Sequence, residues 1–426
     1  MFRTYRFRLF PKKGQITTLN NQFELCRKCY NDLLDQRKQD IQNWGSDQGY
    51  YESKKLLPKW KKQNGIFQLK VVHSQVLQDI CQRVDKAVKK FRVNQKEDNT
   101  AGFPRFKGQR GLHSITYPQY GSGILIKGSE LEVSKVGKIP IKVHREIKGT
   151  PKTVTIVKSR TDKWFACISC EVPDVVQKPI ESSVGIDLGL TSFIMKDDGS
   201  KIDHPSFIEK SKAKIKKLNN KFRRNGYNDK TRKALSHAHE KIANQRADFL
   251  HKVSNELVEE YDLICFEDLS VKSIQKLSWK DINRKIADVA WNTLVQLTTY
   301  KAESAGKKVQ LVNPRNTSQV CSQCGTYVPK TLKDRVHICP ECGLILDRDH
   351  NAAKNILTLG LQSVEKFSPR CPSLQCWEQS QVKMNEALQV VDKNCIFLAE
   401  QLEKSNLRIA ELEKQVAILT DRVEFL

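Results

Sequence analysis

The sequence lacks any apolar run close to the roughly 20 residues that a membrane-spanning helix requires. Its first residues, MFRTYRFRLFPKKGQ, also lack the apolar centre of a secretory signal peptide. We therefore expect a cytoplasmic protein that is associated with the nucleoid. The 13 cysteines are an odd number, which does not suit a framework of paired disulfides, and clustered cysteines in a reducing compartment more often bind metal.

Acidic residues are scarce relative to basic ones, because 48 Asp and Glu stand against 73 Lys and Arg, a formal net charge of +25. The imbalance is uneven along the chain. Residues 371–426 hold 6 basic and 9 acidic residues, a charge of −3, so the preceding body carries +28. A body this basic indicates a polyanionic partner, most simply nucleic acid.

Three acidic residues lie where predicted buried elements begin or end. Asp187 follows the apolar strand of SSVGIDLGL, Glu267 follows that of YDLICFEDLS, and Asp349 opens the alanine-rich helix DRDHNAAKNILTLG. Each alone is more often a helix cap or a solvated turn. Together they suit two magnesium ions about 3.5–4 Å apart that cleave a phosphodiester bond. We interpret the three as catalytic metal ligands, and give the neighbouring Asp268 and Asp347 supporting or structural roles.

The elements around these carboxylates have the order strand, hairpin, helix, strand, helix, strand, helix, which is the order of a ribonuclease H type fold. The hairpin turns at Asp198-Gly199. Helical patterns extend over about 208–260, with a potential break at RRNGYND, and over about 283–305. Ahead of this core, YRFRLF predicts a strand, two helices follow over about 15–42 and 67–96, and a strand-rich region occupies 114–172.

Four cysteines just before Asp349 predict a structural zinc site. Two C-x-x-C-G segments are separated by 14 residues, and each glycine lets the backbone fold around a tetrahedral thiolate site. Four sulfur ligands close the coordination shell, so this zinc is not expected to be catalytic. The ligands are Cys321, Cys324, Cys339 and Cys342. The other C-x-x-C pairs, Cys26 with Cys29 and Cys167 with Cys170, lack a matching second pair and fit a helix stripe and a sheet face.

The sequence resembles the TnpB proteins, the OrfB proteins of insertion sequences that are often labelled putative transposases and are related to type V CRISPR effectors. The matching segments occur in the family's order and cover residues 1 to about 360. They are YRFRLFPKKGQ, CRKCYNDLL, GFPRFKGQRG, GIDLGL, HAHEKIANQRADFLHKVS, FEDLSVKSI, NPRNTSQVCSQCG and CGLILDRDHNAAKNI. The family's three acidic positions correspond to Asp187, Glu267 and Asp349, and none is replaced here.

The resemblance implies an α/β multidomain fold and an RNA-guided DNA endonuclease, with a guide RNA and target double-stranded DNA as partners. A transposable element would encode the protein, whose cleavage would aid the element's retention. The implied domains are a wedge-like β-barrel (1–12 and 100–178), a helical recognition lobe (13–99), a RuvC-like nuclease (180–315 and 345–362) and a zinc ribbon (316–344).

A guide-bound heteroduplex is held through its backbone and shape, which requires many Lys and Arg residues. Six basic residues are our candidates for these contacts, although a solvated surface is the alternative for each. Strand alternation places the first of them on the opposite face from the next two. They are Arg3, Arg6, Arg8, Arg105, Lys107 and Arg110.

Three rival functions remain open. A transposase could use the same carboxylates for strand transfer, because both chemistries employ two metals. An RNA-guided DNA-binding repressor would have no need of three metal carboxylates. A plain zinc-ribbon binding module would leave the whole acidic core without a role.

Residues 371–426 match no part of the family and carry a heptad pattern. Counting from Leu388 as the first a position, ten of the twelve a and d positions are aliphatic, which predicts a coiled coil. β-branched residues at heptad position a, combined with leucine at position d, favour a coiled coil of two parallel helices. We expect this tail to form a homodimer or to bind a protein partner. The alternative is an amphipathic helix that folds back onto the body.

Overall fold

The structure is a computed structural model in which two units are distinguished, Met1–Asp174 with Lys214–Glu240 and Val175–Ala213 with Lys241–Leu426. The residues that it describes are 1–45, 47, 49–62, 67–97, 101–109, 111–224, 228–270, 280–331 and 334–365. Arg110 and the tail 371–426, both subjects of our predictions, lie outside the described residues. Within the described residues, no helix is long and apolar enough to cross a membrane.

The first unit contains a seven-stranded antiparallel sheet with the order β2-β6-β7-β1-β5-β4-β3. The first strand shows why the segment is extended: Tyr5, Phe7 and Leu9 are buried, while the alternate Arg6 is exposed. The strands are β1 (Phe2–Leu9), β2 (Ser114–Tyr117), β3 (Ile124–Lys127), β4 (Glu130–Val133), β5 (Gly137–Lys142), β6 (Thr150–Lys158) and β7 (Trp164–Glu171).

Three α-helices pack their apolar stripes into the same core: α1 (Lys13–Trp44), α2 (Gly49–Lys62) and α3 (Ser74–Glu97). The predicted helix over 67–96 is wrong at its start. Phe67–Val71 forms a 3-10 turn instead, and Val72 donates its N–H to the Leu69 carbonyl, which brings the side chains of both residues into the core.

The second unit contains a mixed five-stranded sheet with the order β10-β9-β8-β11-β12. Strand β11 pairs in parallel with both β8 and β12, whereas the hairpin strands β9 and β10 are antiparallel. The strands are β8 (Ser183–Asp187), β9 (Ile194–Lys196), β10 (Lys201–Ile202), β11 (Leu263–Glu267) and β12 (Lys308–Val312). The predicted hairpin is confirmed, with Gly199 at φ 88° in its turn.

In the part of the chain that the structure describes, five helices follow α3: α4 (Phe207–Arg224), α5 (Asp229–Glu260), α6 (Lys280–Val289), α7 (Trp291–Ala305) and α8 (Arg348–Glu365). The long basic helix is therefore interrupted near the segment RRNGYND. The predicted single helix over 283–305 is wrong, because Ala290 adopts a left-handed conformation (φ 55°, ψ 46°) and divides it.

Helix α8 lies directly against the five-stranded sheet, and two glycines allow the close approach. A Cβ atom on Gly185 of β8 would collide with the α8 backbone at Ala353 and Leu357. A Cβ atom on Gly360 of α8 would collide with the Cys265 sulfur of β11. Between these points Leu263, Cys265, Val312 and Ile356 form a small buried core. The two glycines thereby allow α8 to lie close to the sheet, and this contact positions the first turn of the helix relative to β8.

A short hairpin precedes α8, with strands β13 (Val336–Ile338) and β14 (Ile345–Asp347) in antiparallel register. An isolated antiparallel bridge between Val320 and Tyr327 makes a second small turn beside it. These two turns carry the four cysteines.

Candidate active site

Asp187 and Glu267 end two adjacent parallel strands. The register pairs Ile186 of β8 with Phe266 of β11. Asp187 and Glu267 are the next residues of these two strands, so their carboxylates lie at the same edge of the sheet. Asp349 lies in the first turn of α8, the helix that packs on β8 through Gly185. The structure therefore brings these three predicted residues, hereafter the carboxylate triad, to one region of the second unit.

The charges of the triad act on one another. Burial raises the pKa of Asp187 to about 8, and the nearby Glu267 and Asp349 carboxylates add to the effect, whereas Arg348 and the N–H of Leu188 oppose it. Burial also raises the pKa of Glu267, which is 9% exposed, and a hydrogen bond from Thr317 works in the opposite direction. Like charges held together in a buried site are stabilised by a bound cation.

The position of Asp349 is set by its neighbours. Asp347 caps the helix, since its carboxylate accepts the backbone N–H groups of Asp349 at 2.8 Å and His350 at 3.2 Å. The Arg348 guanidinium forms an ion pair with the Asp349 carboxylate at 3.0 Å. Asp347 thus has a structural role. Asp268 lines a cavity of about 220 Å³ beside Glu267, together with Trp291.

The four cysteines fit a tetrahedral zinc ion. Their sulfur atoms all lie within 4.8 Å of one another, and the pairs Cys321–Cys342 and Cys324–Cys339 are 3.6 Å and 3.4 Å apart. Tetrahedral bonds of 2.3 Å place sulfurs about 3.8 Å apart, so the pocket is close to the required size. Within the described part of the chain this is the only group of three or more possible ligands gathered so tightly.

Three polar residues that the sequence did not single out for the site connect the zinc cluster to the triad. The Thr317 hydroxyl donates to Oε1 of Glu267. Asn355 of α8 donates its amide to the carbonyls of Thr317 and Val320, at 2.8 Å and 2.7 Å. Asn351, one turn earlier, is fully buried. The spacing of two asparagines at i and i+4 on the helix was the available signal, because it places both on one face.

The candidate nucleic-acid residues separate into two groups. Arg6 and Arg8 share the face of the seven-stranded sheet that carries Phe165, with the guanidinium carbons 3.8 Å and 5.1 Å from its ring centre. Arg3 lies on the opposite face of the strand, as alternation predicts.

The segment before β2 carries the second group. Arg105 is exposed, but Lys107 packs its ammonium over the Tyr30 ring at 4.5 Å, and burial lowers its pKa. The Lys107 ammonium is therefore partly buried against α1. The contacts described for Lys107 do not include Arg6 or Arg8.

The remaining cysteines of the described residues serve packing. Cys26 and Cys29 are buried with Cys81 in the helical core, and Cys170 is buried on β7. Cys167, three residues earlier on that strand, lies on the other face. The C-x-x-C spacing of Cys26 with Cys29 therefore reflects one buried side of a helix, and that of Cys167 with Cys170 reflects positions on a strand, in line with our interpretation of the sequence.

Three family models match the chain in order. They are described as "Helix-turn-helix domain" over residues 1–46, "Probable transposase" over 167–278 and "Cas12f1-like, TNB domain" over 291–356, and together they span just over half of the chain. The described residues of the first match, 1–45, contain strand β1 followed by helix α1.

Two relatives each cover 84% of this chain. The chain is 29% identical to a "Putative RNA-guided DNA endonuclease" of Streptomyces pristinaespiralis, of which the match covers 89%, and 28% identical to the "Putative RNA-guided DNA endonuclease InsQ" of Escherichia coli K12, of which it covers 92%. A solved structure described as "mini-RNA-guided endonuclease CRISPR-Cas_phi3" matches with a TM-score of 0.46 and 10% identity, over 85% of this chain and 92% of that one.

Proposed function

Since the chain belongs to the OrfB family of insertion-sequence proteins, which includes the TnpB proteins, we propose that it is an RNA-guided DNA endonuclease encoded by a transposable element. The observation that carries the proposal is the carboxylate triad, two of whose members end adjacent parallel strands while the third lies on the helix packed against them. The relatives named as putative RNA-guided DNA endonucleases match over most of their length.

The triad fits divalent ions such as magnesium. Carboxylate oxygens are the hard ligands that Mg²⁺ prefers, and mutually repelling carboxylates in a buried site favour a bound cation. When bound, such ions supply an activated water and stabilise the leaving oxygen of the phosphodiester. The protein's own contribution is to hold Asp187, Glu267 and Asp349 in place on β8, β11 and α8.

The domain assignment follows from the order of the elements. We assign residues 180–315 and 345–362 to a RuvC-like core of ribonuclease H type, which the parallel strands β8, β11 and β12 and the attached hairpin support. Residues 316–344 are the zinc ribbon. The seven-stranded sheet supports a wedge-like barrel from residues 1–12 and 100–178, and the helices of residues 13–99 would form the recognition lobe.

A guide RNA and target DNA are the proposed partners, held by the basic body. The stacked pair of Arg6 and Phe165 offers a cation beside an aromatic face, a combination that binds both phosphates and unpaired bases. Arg8 extends this surface along the strand.

The decisive experiment is to purify the protein from cells that carry its native locus and to sequence the RNA bound to it. The expected result is one RNA species that directs cleavage of matching double-stranded DNA in Mg²⁺. Absence of bound RNA, or cleavage that ignores the RNA sequence, would contradict the proposal.

Strand transfer is the second candidate, because the family model over residues 167–278 is described as a probable transposase. The same purified complex separates the two functions. A transposase joins the ends of a labelled donor DNA to a target, whereas the proposed endonuclease leaves only cut ends.

A further inference from the structure

Within the described residues, one carboxylate oxygen of Glu267 has a hydrogen-bond partner and the other has none. Oε1 accepts the hydroxyl hydrogen of Thr317, and both residues are buried, with 9% of Glu267 and 5% of Thr317 exposed. For Oε2, the described residues provide no hydrogen-bond partner. A hydrogen bond to one oxygen of a buried carboxylate restricts the rotation of the whole group, because rotation would leave the hydroxyl without its acceptor.

Thr317 is itself held from α8. Its carbonyl accepts the Asn355 amide at 2.8 Å, and the same amide donates to Val320 at 2.7 Å. Asn351 donates to the Val320 carbonyl at 2.7 Å and accepts the N–H of Ser322 at 2.9 Å. These contacts flank Cys321 and lie within two turns of Asp349. The segment that reaches Glu267 is therefore attached to the helix that carries the third carboxylate.

We propose that Thr317 is a positioning residue for Glu267, and that Asn355 holds Thr317 in the place where its hydroxyl leaves Oε2 directed at the metal site. This inference rests on the proposed function, because it assumes that the triad binds divalent ions. Groups that orient metal ligands change metal affinity by about 10–100-fold when they are removed. Thr317 contacts a ligand and no reacting atom, so its effect must pass through Glu267.

The test measures metal binding directly in the protein–RNA complex, by titrating Mn²⁺ and following free Mn²⁺ by electron paramagnetic resonance. Thr317→Val removes the hydroxyl at nearly constant shape, and Thr317→Ser keeps it. We expect Thr317→Val to bind Mn²⁺ at the triad about tenfold more weakly than the unsubstituted protein, with zinc content and melting temperature close to normal. Thr317→Ser should restore most of the affinity.

A second variant covers the case in which Thr317→Val does not fold. Asn355→Ala removes the amide that holds Thr317 but touches neither Glu267 nor the metal site, and it should weaken Mn²⁺ binding in the same direction. Normal Mn²⁺ affinity in a folded Thr317→Val or Asn355→Ala protein would overturn the inference.

The outcome is distinguishable from failure of the proposed function. If the unsubstituted protein binds Mn²⁺ and Thr317→Val loses it, the inference stands even where no guided cleavage of DNA is found. If cleavage is found and Thr317→Val binds Mn²⁺ normally, the function stands and the inference falls.

Discussion

Replacing Gly185 by alanine should impair cleavage without touching any metal ligand. A Cβ atom at this position would lie 2.2 Å from the Ala353 carbonyl oxygen and 2.6 Å from the Leu357 backbone nitrogen. Ordinary contact begins at 3.4 Å. The helix must therefore withdraw from the strand by about 1.2 Å, the difference between 3.4 and 2.2 Å, because backbone atoms cannot rotate out of the way.

The displacement falls one turn from Asp349. Overpacking of this kind costs typically about 1–3 kcal/mol of unfolding free energy. A misplacement of about 1 Å in a catalytic group can reduce the rate on the order of 100-fold. We expect Gly185→Ala to remain folded and to cleave guided DNA on the order of 100-fold more slowly, measured as the single-turnover rate with saturating complex.

Two matched variants test the reasoning. Gly14→Ala lies in α1 where a Cβ meets nothing within 4 Å, so it should leave the rate unchanged and gain up to about 1 kcal/mol of stability. Gly360→Ala would press on Cys265 at the far end of α8, and should lower stability more than rate. A Gly185→Ala protein that cleaves at the normal rate would refute the argument, as would a Gly360→Ala protein with the larger loss of rate.

Three further outcomes are expected. Alanine at any member of the carboxylate triad should abolish cleavage but leave RNA and DNA binding nearly intact, because affinity comes from Lys and Arg; full cleavage by one purified variant would remove that residue from the site. The protein should contain about one zinc per chain, and a Cys321→Ser, Cys339→Ser double variant should lose it together with activity; unchanged zinc by atomic absorption would contradict the assignment. Deleting residues 371–426 should preserve cleavage and convert a dimer to a monomer, and a full-length protein that light scattering shows to be monomeric at micromolar concentration would sink the self-association part of this prediction.

The elements that could be predicted from the sequence are those in which buried residues alternate with exposed ones or form a short apolar run. Strand β1 alternates strictly, and β8 and β11 are short apolar runs that end at an acidic residue, so their type and limits could be inferred locally. The family assignment made from the motifs is confirmed by the family models. In the second unit, the division at Ala290 has no local signal, since no glycine or proline marks it. The left-handed conformation there is stabilised by contacts: the Ala290 carbonyl accepts the N–H groups of Thr293 and Leu294, and Trp291 is buried.

Contacts between residues far apart in the sequence also could not be predicted from the local pattern of apolar and polar residues. Thr317 and Glu267 are 50 positions apart, and nothing in either local sequence requires them to meet. Lys107 shows the same limitation from the opposite side, because a basic residue in a glycine-rich segment suggested an open nucleic-acid contact. Its ammonium also lies over the Tyr30 ring, an interaction that depends on how the segment returns to α1, and its contact with nucleic acid stays a prediction.

The first turn of α8 depends on contacts that carry no chemistry of their own. Gly185 sets the distance of the helix from the sheet, Asp347 caps its N-terminus, and the two asparagines tie it to the zinc cluster. Metal ligands must lie within a few tenths of an ångström of their ideal positions. Helix ends fray, so a single contact at the start of α8 would not hold Asp349 that closely. If zinc binds the four cysteines, we expect its loss to release the segment that contains Thr317, so that Glu267 and Asp349 lose a shared support. Activity should consequently fall with zinc content even when Mg²⁺ is saturating, and the fall should be steeper than the loss of RNA binding.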